Sequence, residues 1–217
     1  MKVVISLGGS LLSLNDMDYV RNVASLIEAA SRDMDIYVVV GGGKTARNYI
    51  RAARKLCKDE RYLDRIGIMA TRMNAMLLNS FFKKRIPHSI DHAARMTPPV
   101  IMGGTMPGHS TDAVAAMLAA RVGGKLIVAT DVDGVYDRDP KKYSNARKLE
   151  RVSVKELATM AGGRWREAGK SNVVDPVACR IIEKHSIPTF VLNGKKLDEL
   201  ENAIYGRKFN GTVVEIG

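Results

Sequence analysis

Val100-Ile101-Met102-Gly103-Gly104-Thr105-Met106-Pro107-Gly108-His109-Ser110-Thr111-Asp112-Ala113 passes from an apolar strand through a glycine-rich loop into a helix start. Val100 to Met102 suit a buried strand, while Gly103, Gly104 and Gly108 allow backbone shapes or close ligand approach that a side chain would block. Ser110 is placed to N-cap the apolar run Ala113 to Val122, turning free N–H groups and a positive helix end toward whatever the loop holds. An anion suits that position, although a plain strand-to-helix turn needs the same glycines for packing.

Two other stretches repeat the pattern. Val3 to Leu7 runs into Gly8-Gly9-Ser10, and Ile36 to Val40 runs into Gly41-Gly42-Gly43-Lys44-Thr45. Their unequal spacing excludes a solenoid repeat and predicts parallel strands that deliver glycine loops to one sheet edge, where α/β proteins bind ligands.

Composition narrows the class. The 217 residues suffice for one large domain, and charges interrupt the 46% hydrophobic content everywhere. Nothing approaches the ~20 apolar residues of a membrane span. A strand begins almost at once, so no signal peptide is expected, and the unpatterned Cys57 and Cys179 fit small hydrophobes in a reducing cytoplasm. The net charge of +11 leaves nucleic acid, anionic substrates or a merely basic surface open. Four Phe and one Trp form no stacking series for single strands, so dedicated nucleic-acid binding is not expected.

Along the chain, helices are expected at Tyr19 to Ala30, Lys44 to Leu56, Tyr62 to Lys83, Val154 to Met160, from Pro176, and at Leu197 to Tyr205. Strands are expected at Lys125 to Thr130, Thr189 to Leu192 and Thr212 to Ile216, with a short one at His88 to Ile90. The alternation argues for a mostly parallel sheet covered on both faces. Met69, Met73 and Met76 make a stripe that reads as core or subunit contact. Gly43-Lys44-Thr45 is not a P-loop, because Val38 stands where that motif needs glycine; Gly169-Lys170-Ser171 fails at Arg164. Asp131 to Asp139 holds four Asp, but its glycine is out of step with a calcium loop. A turn at Asp133-Gly134, with Tyr136 exposed beside a nucleotide base, suits it better.

Together the motifs resemble the amino acid kinase family, and within it the archaeal type of UMP kinase. The matching pieces are Leu7-Gly8-Gly9-Ser10, Val40-Gly41-Gly42-Gly43-Lys44 with Arg47, Thr71 to Met76, Met102 to Ala113, Thr130 to Tyr136, and Val174-Asp175-Pro176. The resemblance implies an α/β fold: a three-layer αβα sandwich on a largely parallel eight-stranded sheet, of the carbamate kinase-like type. It implies one domain over 1–217, with acceptor side mainly 1–120 and ATP side mainly 125–217. It also implies transfer of the ATP γ-phosphoryl to UMP with magnesium, in a cytoplasmic homohexamer built as a trimer of dimers.

Carried over by position, the UMP side is Gly42, Asp64, Thr105, Met106, Pro107, Gly108, His109, Ser110 and Thr111. The ATP side is Gly9, Ser10, Gly43, Arg47, Thr130, Asp131, Tyr136 and Asp139. No metal-ligand set is assigned. Asp64 would accept the ribose hydroxyls, although an acidic residue at a helix start also complements the dipole with no ligand at all. Many family members place a lysine two residues before the first glycine pair; here that residue is Ser6. Lys44, Arg47 and Lys170 are the candidate replacements, with magnesium, and Asp175 orients or coordinates. Arg47, in a first helical turn beside a glycine loop, leads; the catalytic set is Arg47, Lys44 and Asp175. The rivals are another small-molecule kinase of this fold (carbamate, acetylglutamate or isopentenyl phosphate), and a non-catalytic binder of nucleotide or nucleic acid.

Overall fold

A computed structural model describes residues 1–162 and 174–216. The segment Gly162 to Asn172, with the candidate cation Lys170, lies almost wholly outside the described residues. The first half comprises β1 (Lys2–Leu7), α1 (Met17–Ala30), β2 (Asp35–Val40), α2 (Gly43–Ala53), α3 (Glu60–Asn79), α4 (Ile90–Arg95), β3 (Val100–Met102) and α5 (Thr111–Val122). The second comprises β4 (Lys125–Thr130), β5 (Val135–Tyr136), β6 (Lys148–Leu149), β7 (Arg151–Ser153), α6 (Val154–Met160), α7 (Pro176–His185), β8 (Thr189–Asn193), α8 (Leu197–Tyr205) and β9 (Gly211–Glu215).

Among the described residues the main sheet has seven strands, in the order β3-β2-β1-β4-β8-β9-β7. The first five are mutually parallel, and β9 runs antiparallel to β8. The implied count was eight. Val135–Tyr136 does form strand, but it pairs with Lys148–Leu149 as a separate two-stranded sheet. That pairing leaves Tyr136 half-buried instead of exposed. The strand expected at His88 to Ile90 is absent: Ser89 accepts a hydrogen bond from His92 N–H and caps α4, because a hydroxyl at N-cap competes well with extended backbone.

Strand residues alternate between faces. Val3, Ile5 and Leu7 pack under α1, α3 and α8, with Val20, Val23, Ile27, Leu78 and Leu200. Val4, Val39, Leu126 and Val128 pack against α4 to α7, with Ala113 to Val122 and Ile182. Each large aliphatic side chain so enclosed contributes roughly 1.5–3 kcal/mol. The alternation turns Ser6, fully buried, toward α5.

Chain order moves outward from β1 to β2 and β3, then returns to β1's other side as β4. The sheet therefore has a switch point between β1 and β4, beyond whose carboxyl ends a crevice forms. Gly8 N–H bridges it, donating to Ala129 O at 2.9 Å.

Candidate active site

The loops after β1, β2, β3 and β4 open into one cleft of about 840 Å³, lined by Gly9, Gly42, Gly104 and Thr130. That volume sits within the range of small-molecule sites.

The first two loops touch through backbone. A Cβ on Gly9 would overlap the backbone of Gly41 and Gly43, and one on Gly43 would overlap Gly9. Only glycine permits this approach, and Gly43 adds a left-handed φ of +57°. Helix α2 starts at this junction with Gly42 as N-cap and no side-chain cap. Its first N–H groups are thus open to an anion. At α5 the Ser110 hydroxyl already accepts from Ala113 N–H at 3.0 Å, so the more open of the two helix ends belongs to α2.

Helix α3 holds the acceptor-side loops. Asn74 Nδ2 donates to Gly41 O at 2.8 Å, and Gly104 N–H donates to Thr71 Oγ1 at 2.7 Å. Arg72 Nε donates to Gly104 O at 3.2 Å, and Gly108 N–H donates to Asp64 Oδ2 at 2.8 Å. One rigid helix thereby fixes the spacing of two loops.

Among the expected site residues, Gly9, Ser10, Gly42, Gly43, Arg47, Asp64, Met106 and His109 line the cleft, as do Ser110, Thr111, Thr130, Asp131, Tyr136, Asp139 and Asp175. Thr105, Pro107 and Gly108 belong to the same loop without lining it, and Lys44 does not line it either. Gly43, Ala46, Arg47 and Ile50 form the cleft face of α2; Lys44 is rotated about 100° from Gly43 and is exposed. His109 Nδ1 is buried without a hydrogen-bond partner among the described residues.

Sequence reading left several contributors without a role. Thr71, Arg72 and Asn74 are loop clamps, and Arg138 and Lys141 line the cleft. Lys141 Nζ lies 2.6 Å from Asp131 Oδ2; burial pushes that carboxyl up, but Lys141 holds it below its usual range. Asp133 is taken by Lys196 at 2.9 Å and Asn193 at 3.0 Å. These acids serve as anchors of the 131–141 segment.

The other missed residue is Asp112. Ser6 Oγ donates to Asp112 Oδ1 at 2.6 Å. Asp175 lies close by, its Oδ1 accepting from Val177 N–H at 2.7 Å and Ala178 N–H at 3.2 Å, its Oδ2 from the Ser110 hydroxyl. Asp175 is thus the N-cap of α7, with both oxygens occupied. Burial pushes the Asp112 carboxyl up to about 7; the Ser6 bond opposes this and the Asp175 charge adds to it. The signal in the sequence was a lone acid in the first turn of an otherwise apolar helix, opposite the alternating position of Ser6. Cys179, also nearby, has its thiol pushed up to about 12 by burial and both carboxylates, which fits packing.

The Asp112 shift has a stability consequence. A carboxyl that titrates near 7 folded and near 3.8 unfolded binds its proton more tightly in the folded protein. Stability is therefore greatest below the unfolded value and falls as pH rises from about 4 to about 7. Asp112→Asn removes that slope. Thermal melts should place the variant's Tm roughly 5 °C above wild type at pH 8 and near it at pH 4.5; parallel curves would remove the shift.

A family model for the amino acid kinase family matches residues 1–193. The chain is 42% identical over 225 residues to the uridylate kinase of Pyrococcus abyssi, covering 99% of this chain and 100% of that protein. It superimposes on the crystal structure of uridylate kinase from Archaeoglobus fulgidus with a TM-score of 0.88 at 42% identity, covering 99% of this chain and 100% of the other. A UMP kinase from Ureaplasma parvum, at 24% identity and TM-score 0.78 over 99% and 98% of the two chains, shares the fold. With its glycine loops, its sheet and its sequence in agreement over almost the full length, the chain belongs to the amino acid kinase family.

Proposed function

We propose that this chain is a UMP kinase, transferring the γ-phosphoryl group of ATP to UMP to give ADP and UDP. The observation that carries the reading is the convergence of the glycine loops, the open end of α2 and Arg47 on one cleft, facing the 105–111 loop and Asp64. Uridylate kinase relatives at about 40% identity across the chain support the same acceptor.

The chemistry asks little covalent help from protein groups. At neutral pH the UMP phosphate is largely dianionic, so its oxygen attacks without a general base. The bond from that oxygen to the γ-phosphorus forms as the bond to the ADP oxygen breaks, and both nucleotides must lie in line. The obstacle is repulsion between two anions. Backbone N–H groups of Gly9, Ser10 and the first turn of α2 and the Arg47 guanidinium oppose it, each charge-assisted contact contributing about 1.5–3 kcal/mol.

ATP enters as its magnesium complex. In this reading the ion is held by phosphate oxygens and water. Within the single-domain reading, 1–120 contributes mainly to the acceptor side and 125–217 mainly to the ATP side, with Gly9, Ser10, Gly43 and Arg47 of the first half serving ATP. Tyr136, Thr130, Asp131 and Asp139 face the latter, with Lys141 and Arg138 beside them.

A homo-oligomer, a hexamer built as a trimer of dimers in the fuller form of the reading, has support from α3. Met69, Met73 and Met76 are 58%, 59% and 65% exposed, so the stripe is not core. Apolar residues at this spacing suit a subunit contact. The cytoplasm suits a nucleotide-pool enzyme, and no described helix is long and apolar enough to cross a membrane.

Coupled ADP release with UMP, CMP, AMP, dUMP, carbamate, acetylglutamate and isopentenyl phosphate tests the acceptor. UMP should give the highest kcat/KM, with dUMP lower by about tenfold or more because Asp64 loses a partner. Faster turnover of any other compound overturns the assignment, and no ADP release with any of them favours a binding protein.

A further inference from the structure

We propose that Asp64 is the latch of the acceptor loop as well as a ribose ligand: one carboxylate oxygen fixes Gly108 and the other is left for the nucleotide. This deepens the UMP kinase reading of the same cleft and rests on it for the identity of the ligand.

The segment Thr105 to His109 is anchored firmly only at its ends. At one end Thr71 and Arg72 hold Gly104. At the other the Ser110 hydroxyl donates to Asp175 and accepts from Ala113 N–H. Between them, among the described residues, two hydrogen bonds tie the loop down. One is a 3.5 Å reach from Arg72 to Thr105 O, too long to hold much. The other is the 2.8 Å bond from Gly108 N–H to Asp64 Oδ2, which joins parts of the chain 44 residues apart.

Pro107 and His109 are half-buried, but at Gly108 and Met106 packing does not substitute for that bond. Gly108 has φ +85°, and a Cβ there would meet nothing within 4 Å. Met106, beside it, is 55% exposed. The loop tip therefore depends on one charge-assisted contact, made by a residue of the same helix that clamps Gly41 and Gly104. His109, with its unpartnered Nδ1, rides on this tip, so the latch also sets where that ring stands.

A carboxylate offers two oxygens, each able to accept two bonds. Oδ2 is committed to Gly108, and Oδ1 has no hydrogen-bond partner among the described residues. A ribose hydroxyl donating to Oδ1 would complete the group. Loop order and hydroxyl recognition then share one side chain, and substitution separates them. Asparagine keeps an oxygen that accepts from Gly108 N–H but presents an amide that cannot accept from ribose. Alanine loses both.

The test has two arms. Amide hydrogen exchange over 103–110 is followed in the nucleotide-free protein for wild type, Asp64→Asn and Asp64→Ala, with thermal melts to check folding. Exchange at Gly108 should quicken by about tenfold or more in Asp64→Ala and stay near wild type in Asp64→Asn. Steady-state KM and kcat are measured with UMP and dUMP at saturating magnesium ATP. Asp64→Asn should raise KM for UMP about tenfold and raise KM for dUMP, which keeps only the 3′-hydroxyl, by less, and Asp64→Ala should raise KM for both further, with smaller changes in kcat. Unchanged exchange in Asp64→Ala, or equally fast exchange in both variants, overturns the latch whatever the nucleotide results. Normal exchange differences with no turnover of UMP would instead remove the acceptor assignment and leave the latch standing.

Discussion

Arg47→Ala is expected to lower kcat/KM for UMP by about 10²–10³-fold while leaving Tm unchanged, read by coupled ADP release and thermal melts on one preparation. The asymmetry follows from where the residue stands. Arg47 is exposed on the first turn and a half of α2, lines the cleft, and makes no hydrogen bond or ion pair in the described structure. Its removal leaves no buried partner unsatisfied, and exposed helix positions tolerate alanine well. The loss falls where a second anion must approach the first. Ser6 sharpens the expectation, because the β1 position where the family resemblance implies a cation holds a neutral hydroxyl bonded to Asp112. Arg47→Lys should recover only part of the rate, since an ammonium lacks the planar fork that matches phosphate. Wild-type turnover in Arg47→Ala would take Arg47 out of the site.

The second large effect belongs to Gly9→Ala, a change of one methyl group. Its Cβ would overlap the backbone of Gly41 and Gly43, and backbone cannot rotate aside as a side chain does. The two loops must separate, at a cost of about 3 kcal/mol, which lowers Tm by roughly 10 °C in a chain of this size. Activity should fall further than stability. A displacement of about 1 Å in a positioning loop costs about 10²-fold in rate, and here it also tilts the open end of α2. Assays well below the variant's Tm separate the two losses. A variant with full activity would mean that the loops do not meet as described.

Much of the fold was legible because its signals are local. β-Branched runs followed by paired glycines marked β1, β2 and β3, and Pro176 after Asp175 marked the start of α7 where the structure has it. Ser110 as the cap of α5 was equally plain. Where local signals were weak or tied, longer-range pairing decided. Val135–Tyr136 is too short to announce itself, and it became strand only because Lys148–Leu149 lies opposite. Ser89 turned an apparent strand into the cap of α4. The antiparallel course of β9 beside β8 has no counterpart in sequence periodicity, which is the same for either direction.

The site divided in the same way. Glycine loops, an acid at position 64 and a basic first turn of α2 could be read from residue types. Their partners could not: Arg47 could be ranked ahead of Lys44, but only the rotation of α2 shows that Lys44 does not line the cleft. Asp175, read as a group that orients or coordinates, has both oxygens engaged at a helix cap, and Asp112 stands beside it bonded to Ser6.

The linear chain by itself determined that the long apolar runs become the central strands, where they must break into glycine, and that the breaks fall at the same end of each strand; steric freedom and hydrophobic period are properties of neighbouring residues. The three-dimensional packing alone decided that Ser6 faces Asp112, that Gly9 and Gly43 touch, and that Asp64 holds Gly108. Each of those contacts joins residues tens of positions apart, and its energy exists only after the sheet has set the distance between them.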